Sequence, residues 1–121
     1  MLAACAPRAA KPNARSEPDF LGEGLASFYG PGLYGHRTAS GERMERGQYT
    51  AAHRSLRFGT CVRVVNVSNG REVRVRVNDR GPFVNTRFID VSETAAQALG
   101  MVGKGVTRVR VYTCGGVQGV S

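Results

Sequence analysis

The chain has 121 residues, a formal net charge of +8 and a hydrophobic fraction of 41%. This length allows one compact domain, and no stretch reaches the roughly 18 consecutive apolar residues that a membrane-spanning helix needs. Lys11 and Lys104 are the only lysines, and the arginines are spread over predicted strands and loops. The clustered basic stripe and aromatic platforms of a nucleic-acid-binding protein are not evident, and a carboxylate-bearing polymer or an anionic membrane surface would interact with the same positive charge.

The first 22 residues are predicted to lie outside the folded domain. Leu2-Ala3-Ala4-Cys5 resembles a bacterial lipobox, whose cysteine receives a lipid. The apolar segment of a signal peptide is missing before Cys5, so we expect the precursor to begin further upstream. A chance tetrapeptide is the alternative. Residues 6–19 are rich in Ala, Pro and Arg without periodicity, which predicts a flexible tether.

Three cysteines make an odd number. If Cys5 carries a lipid, Cys61 and Cys114 remain, each inside or beside a predicted strand. An exported compartment would permit their oxidation, so we predict a disulfide between them. The alternative is two buried thiols that pack as small hydrophobic side chains.

Residues 23–115 are predicted to form one all-β domain, followed by a short tail at 116–121. Asn69-Gly70 supplies the positive φ angles of a tight hairpin turn. A short helix is predicted to begin after Ser92, its N-cap, and to end at Gly100. Runs typical of short strands occur at 24–30, 61–67, 72–77, 88–91 and 106–112. Short strands with one small helix favour a closed β-barrel.

The most informative segment is Asn78-Asp79-Arg80-Gly81-Pro82-Phe83. The alternating strand before it ends at Asp79, and neither Gly81 nor Pro82 can continue a regular ladder. The Asp79 carboxylate is therefore predicted to lie at a loop mouth on a rigid sheet, which suits a catalytic acid. From the local sequence alone, a turn-forming Asp is the slightly better interpretation, because Asp before Gly and Pro is common in turns.

Several separated motifs together make the chain resemble the rare lipoprotein A (RlpA) family over roughly residues 24–112. The motifs are Ala26-Ser27-Phe28-Tyr29-Gly30, Ser40-Gly41-Glu42, Thr50-Ala51-Ala52-His53, Phe58-Gly59-Thr60, Asn69-Gly70-Arg71, Val77 to Phe83, and Arg87 to Ser92. The resemblance implies a six-stranded double-psi β-barrel. It also implies an endolytic lytic transglycosylase that cleaves the MurNAc-GlcNAc β-1,4 bond of peptidoglycan and leaves 1,6-anhydro-MurNAc ends.

The same resemblance implies a location and partners. Glycan strands would be the substrate, and a lipid on Cys5 would anchor a monomeric domain to the outer membrane, facing the periplasm. No cofactor is implied. His36 and His53 lack neighbouring ligands at zinc spacing, so no metal site is predicted.

Matched position by position, the family's catalytic Asp falls on Asp79, its active-site His on His53 and its nearby Glu on Glu42. Asp79 would protonate the leaving oxygen and later accept the proton of the sugar C6 hydroxyl, so no second catalytic carboxylate is needed. His53 would hydrogen-bond to Asp79 or to a sugar hydroxyl. Glu42 would tune or position the acid.

Tyr29, Asn78 and Arg80 are predicted to bind substrate, and Tyr29 would do so by offering its ring to sugars. Asp90 is a third candidate carboxylate, although its place before the Ser92 cap suits a structural role equally well. A different function, a non-catalytic wall-binding module similar to expansins, would explain the basic surface as well as an enzyme does. Loss of anhydro products in an Asp79→Asn variant would distinguish the two.

Overall fold

The structure is a computed structural model that describes residues 19–114. The strands are β1 (Phe20–Phe28), β2 (Thr50–Ala52), β3 (Cys61–Asn66), β4 (Glu72–Asp79), β5 (Arg87–Val91) and β6 (Thr107–Thr113). They close into a barrel in the order β1-β5-β2-β4-β3-β6. The short helix α1 covers Glu93–Leu99, and a turn of 3-10 helix covers Pro31–Leu33. The predicted barrel with one short α-helix is confirmed.

Two pairs of neighbouring strands are parallel, β1 with β5 and β2 with β4, and the other neighbours are antiparallel. β2 has only three residues, all buried, and it lies between β4 and β5. Such a short strand has too few residues for a periodic pattern, so the sequence did not reveal it as a strand.

The core is built from alternate strand residues, as the period-two pattern predicts. Its strand members include Val62, Val64, Val75, Val77, Ile89, Val91, Val109 and Val111. Helix α1 adds Ala95, Ala96 and Leu99 to this core. Burial of each Val, Ile or Leu side chain stabilises the fold by about 1.5–3 kcal/mol.

Helix α1 has the ends that its sequence predicts. The Ser92 hydroxyl accepts a hydrogen bond from the Ala95 N–H, and Gly100 ends the helix in the left-handed conformation with φ 71°. No helix among residues 19–114 is long and apolar enough to cross a membrane.

The first strand begins earlier than predicted. β1 starts at Phe20, so the boundary expected at residue 23 falls inside the strand. Phe20 pairs with Tyr112 on β6, and their ring centroids lie 5.4 Å apart. Asp19 and Thr113 exchange two further hydrogen bonds, at 2.9 and 2.8 Å. The Cys5 lipobox, most of the proposed tether and the 116–121 tail lie outside the described residues.

A disulfide links the start of β3 to the residue after β6. It joins Cys61 to Cys114, whose Cα atoms are 5.6 Å apart. This separation is typical of disulfides. The bond therefore holds the last strand of the barrel to its neighbour β3.

Candidate active site

Four adjacent strands place two carboxylates in one row on the outer face of the barrel. The paired residues are Ser27 with Asp90, Asp90 with Ala52, and Ala52 with Asp79. Directly paired residues point to the same side of a sheet. Neighbouring strands are about 4.8 Å apart, so the Cα atoms of Asp79 and Asp90 are separated by about 10 Å. The small side chain of Ala52 forms the floor between them.

A β-bulge brings Asp79 into this row. Strict alternation after the core residues Val75 and Val77 would turn Asp79 into the barrel. The register of β2 and β4 shifts between Ala51 and Ala52, so that Ala51 pairs with Val77 but Ala52 pairs with Asp79. The extra residue is Asn78, and a bulge of this kind re-aims the side chain that follows it. The carboxylate therefore lies outside the core, at the end of β4.

The two oxygens of the Asp79 carboxylate have different surroundings. Oδ1 accepts hydrogen bonds from the backbone N–H groups of Ala39 and Arg80, both at 2.9 Å. Oδ2 accepts no hydrogen bond from any described residue. One oxygen is thus anchored to the backbone while the other is available for a proton or a substrate.

Tyr29 is a buried neighbour of the two carboxylates. Its side chain packs against Met44 and Ala52 and is only 8% exposed. The hydroxyl has no hydrogen-bond partner in the described part of the chain. Burial, followed by the negative charges of Asp79 and Asp90, raises the pKa of this phenol far above its usual range. The hydroxyl is therefore a permanent donor close to both acids.

The expected stacking role of Tyr29 is wrong, because a buried ring cannot offer its face to a sugar. Phe28 and Tyr29 are adjacent in the chain, and the sequence does not show which of the two is buried. Tyr29 instead contributes a buried hydroxyl that can donate a hydrogen bond within the site.

Asp90 is held by two groups that the sequence did not single out. The Ser27 hydroxyl donates to Oδ1 at 2.5 Å, and the Arg87 guanidinium lies 3.5 Å from the same oxygen. Alternation along β1 could have identified Ser27, since Ala26 belongs to the core and the next side chain must point outward. Asp90 is therefore a positioned part of the row, two residues before the helix cap Ser92.

His53 is fixed in one tautomer by its own loop. Nδ1 accepts hydrogen bonds from the backbone N–H groups of Ser55 and Leu56, at 3.1 and 3.2 Å, so the ring proton is on Nε2. Burial, then the charges of Arg54 and Arg80, lower the pKa of the imidazole. His53 is thus a neutral ring with one N–H left to donate.

The expected side-chain hydrogen bond between His53 and Asp79 is not formed within residues 19–114. The two residues are linked by the backbone, because the His53 N–H donates to the Asp79 carbonyl at 3.2 Å. The edge of the imidazole also meets the Phe88 ring, with centroids 5.2 Å apart. The ring is positioned beside the acid without being its direct partner.

Glu42 is part of an ion pair and not a second acid. Arg76 donates to its two oxygens at 2.5 and 3.1 Å, and the Asn78 amide donates at 3.1 Å. The Arg76 hydrogen bond is the main cause of a lowered pKa, and Asn78 adds to it. The Ser40 N–H also donates to the Asn78 carbonyl at 3.2 Å. Glu42 therefore secures the loop that brings the Ala39 N–H to Asp79.

Asn78 and Arg80 both have structural contacts, and Asn78 is too buried for its predicted role in substrate binding. Asn78 is 2% exposed and cannot touch a substrate directly. Arg80 donates to the carbonyls of His53 and Leu56, at 3.3 and 2.7 Å, and its guanidinium lies 4.1 Å from the centroid of the Phe58 ring. Arg80 thus ties the His53 loop to the end of β4.

A metal site is not apparent in this region. Within residues 19–114, no three His, Cys, Asp or Glu side chains are grouped so that they could hold a metal ion. What the geometry offers is proton transfer: a half-anchored carboxylate, a buried phenol and an imidazole N–H.

The fold and the site define a double-psi β-barrel domain with a carboxylate site on its outer face. The family model described as lytic transglycolase matches residues 22–111, and the chain belongs to this family. The RlpA-like domain that the motifs predict is thereby confirmed.

Relatives with high identity support the same assignment. An RlpA protein of Nostoc sp. is 57% identical over 95 residues, which are 77% of this chain and 26% of that protein. The Campylobacter jejuni protein named endolytic peptidoglycan transglycosylase RlpA is 47% identical over 93 residues, 77% of this chain and 34% of that protein. The chain thus spans only about a quarter to a third of the length of these relatives.

Among solved structures, the apo expansin of Clavibacter michiganensis has a TM-score of 0.60 at 24% identity. The match covers 75% of this chain and 48% of the expansin. At this level of identity the likeness shows a shared fold.

Proposed function

We propose that this domain is an endolytic peptidoglycan lytic transglycosylase that cleaves the MurNAc-GlcNAc β-1,4 bond and forms 1,6-anhydro-MurNAc ends. Membership of the lytic transglycolase family and the names of the RlpA relatives support this activity. The structural observation that carries it is the Asp79 carboxylate. The bulge at Asn78 turns it outside the core, with Oδ1 anchored and Oδ2 accepting no hydrogen bond from residues 19–114, which leaves Oδ2 for proton transfer.

The chemistry needs one group that first gives and then takes a proton. Protonated Asp79 gives its Oδ2 proton to the glycosidic oxygen while the bond from that oxygen to C1 of MurNAc breaks. The C6 hydroxyl oxygen of the same sugar then bonds to C1, and its proton passes to Asp79. The acid is restored and no water is consumed, so the product carries an anhydro ring.

The neighbouring residues support this cycle without taking the proton themselves. The Tyr29 hydroxyl can donate to Asp79 while the carboxylate is ionised, and so stabilise the intermediate stage. The Nε2–H of His53 can donate to a sugar hydroxyl and orient the ring. Glu42 holds the loop that anchors Oδ1, through Arg76 and Asn78.

The proposed location is the cell envelope, with a lipid on Cys5 and the barrel facing the periplasm. The lipobox-like tetrapeptide at residues 2–5 supports it. Expression of the chain behind a bacterial signal peptide, with mass measurement of the membrane-bound form, tests it. Lipidation would be contradicted if the Cys5→Ser variant stayed in the membrane and its mass differed from that of the parent protein only by the substitution.

The activity is tested by incubating the full chain with purified sacculi and with glycan strands stripped of stem peptides. Mass spectrometry of the soluble products should show anhydro-ended fragments for the unmutated protein and none for Asp79→Asn. Asp19→Asn is the matched control, because Asp19 is exposed and precedes the end of β1 that lies opposite to Ser27. Absence of anhydro products from both substrates, with the folded protein sedimenting with sacculi, would leave the non-catalytic wall-binding module.

A further inference from the structure

Exposed apolar side chains lie on the loop that follows Asp79 and on the loop between β2 and β3, which Arg80 contacts. Phe83 is 80% exposed, which is the highest value among the large hydrophobic residues in the described part of the chain. Its neighbour Val84 is exposed too, and so is Phe58, the residue on which Arg80 stacks. Grouped apolar side chains in contact with water mark binding surfaces more often than isolated ones do. We refer to Phe58, Phe83 and Val84 as the aromatic shelf.

The aromatic shelf is continuous with the carboxylate row. The Phe83 ring folds back over Gly81, where its nearest atoms lie 3.4 and 3.6 Å from the position that a Cβ would occupy. Phe83 is four residues after Asp79, so their Cα atoms are within about 14 Å of each other. Arg80 lies between them in sequence and contacts Phe58. The shelf therefore begins where the proposed catalytic surface ends.

The loop that carries Phe83 and Val84 is held in place before any ligand arrives. Arg54 donates to the Arg87 carbonyl at 2.7 Å and to the Val84 carbonyl at 3.5 Å. The Arg87 N–H also donates to the Val84 carbonyl at 3.0 Å. A preorganised surface loses little conformational entropy on binding. An ordered but exposed Phe83 is better explained by a ligand than by the fold, since its ring adds nothing to the core.

We propose that the aromatic shelf is a binding subsite for the sugar rings that continue the glycan strand beyond the scissile bond. An internal cleavage leaves polymer on both sides of Asp79, and the polymer must cross the adjacent surface. Pyranose rings have apolar C–H faces that fit a flat aromatic side chain, and their hydroxyls remain at the edges in water. The arginines at 54 and 80 beside the shelf complement the carboxylates of muramic acid substituents and stem peptides. This inference rests on the proposed function.

Binding is measured separately from catalysis to test the shelf. Full chains that carry Asp79→Asn are sedimented with purified glycan strands over a range of strand concentrations, with and without Phe83→Ala. We expect Phe83→Ala to weaken binding about tenfold and Phe83→Trp to restore it, because the larger ring keeps the stacking surface. In chains with Asp79 intact, Phe83→Ala should raise KM and leave kcat within about twofold.

Phe20→Ala is the matched control. Phe20 is also an exposed phenylalanine, at 51%, but it lies at the start of β1. Phe28, which follows Ser27 of the carboxylate row, ends the same strand about 26 Å away. Thermal unfolding of the Phe83 variants should match that of the parent, because the ring is outside the core. Equal binding by Phe83→Ala and the control, or no recovery with Phe83→Trp, would overturn the shelf. If no variant yields anhydro products, the proposed activity fails while the binding comparison still decides the shelf.

Discussion

Replacement of Tyr29 by Phe should make the domain more stable and less active at once. The substitution removes one oxygen from a side chain that is 8% exposed and keeps the ring against Met44 and Ala52. The hydroxyl has no hydrogen-bond partner within residues 19–114, so the fold gains nothing from it. A buried polar group of this kind is retained for function at a cost in stability.

The size of both effects follows from this environment. An unsatisfied buried hydroxyl costs about 1–3 kcal/mol, so we expect the unfolding free energy to rise by about 1–2 kcal/mol. In a domain of this size, that change raises Tm by about 5–15 °C. Loss of a hydrogen bond to an ionised carboxylate costs about 1.5–3 kcal/mol, which lowers kcat about tenfold to a hundredfold.

Thermal unfolding by circular dichroism and release of anhydro fragments from sacculi measure the two quantities on the same samples. Tyr49→Phe is the matched control, since Tyr49 is exposed and its hydroxyl meets water in either state. A drop in Tm for Tyr29→Phe would show that the hydroxyl is satisfied in the folded protein. A rise in Tm with unchanged kcat would show that it takes no part in catalysis.

Three further perturbations test the remaining features of the site and the barrel. The disulfide closes a loop with a sequence separation of 53, for which chain entropy gives a stabilisation of about 4 kcal/mol. The double variant Cys61→Ser, Cys114→Ser should therefore lower the unfolding free energy measured in urea by about that amount. A loss below about 1 kcal/mol would refute this expectation. The pKa of His53 is lowered from 6.5 in the folded state, so on acidification the unfolded chain binds a proton that the folded chain does not, and stability falls as the pH drops below about 6.5. His53→Asn keeps an acceptor for the loop amides and should reduce this loss, whereas parallel stability-pH curves for the two proteins would contradict the assignment. Glu42→Gln should change the unfolding free energy by less than about 1 kcal/mol, because the side chains of Glu42 and Arg76 are 37% and 43% exposed. The variant should also turn over substrate more slowly without losing activity. A Glu42→Gln variant as inactive as Asp79→Asn would make Glu42 the acid.

Local sequence patterns predicted most of the barrel because most of it obeys local rules. Alternation in β4 and β6 identified the core faces, and Asn69-Gly70 identified the hairpin between β3 and β4. Ser92 and Gly100 fixed the ends of α1. Each of these features depends on neighbouring residues in the chain, where propensity and spacing carry the information.

The features that the sequence did not reveal depend on contacts between distant segments. The bulge at Asn78 exists because Ala52 pairs with Asp79, and nothing in the alternation of β4 indicates it. For the same reason, the spacing of the motifs predicted Glu42 at the site but could not show that the side chain of Glu42 contacts Arg76 and not Asp79. The early start of β1 likewise depends on β6, which provides Tyr112 and Thr113 as partners.

The pairing of Asp19 with Thr113 means that the polypeptide enters and leaves the barrel at neighbouring points. A domain with adjacent ends can be inserted into a surface loop of another protein, or extended at both ends, without rerouting its strands. Such an extension would leave near the start of β1, whereas Ser27 and Asp90 lie near the other end of that strand. The barrel is therefore built as a portable module, which agrees with its covering only part of much longer relatives.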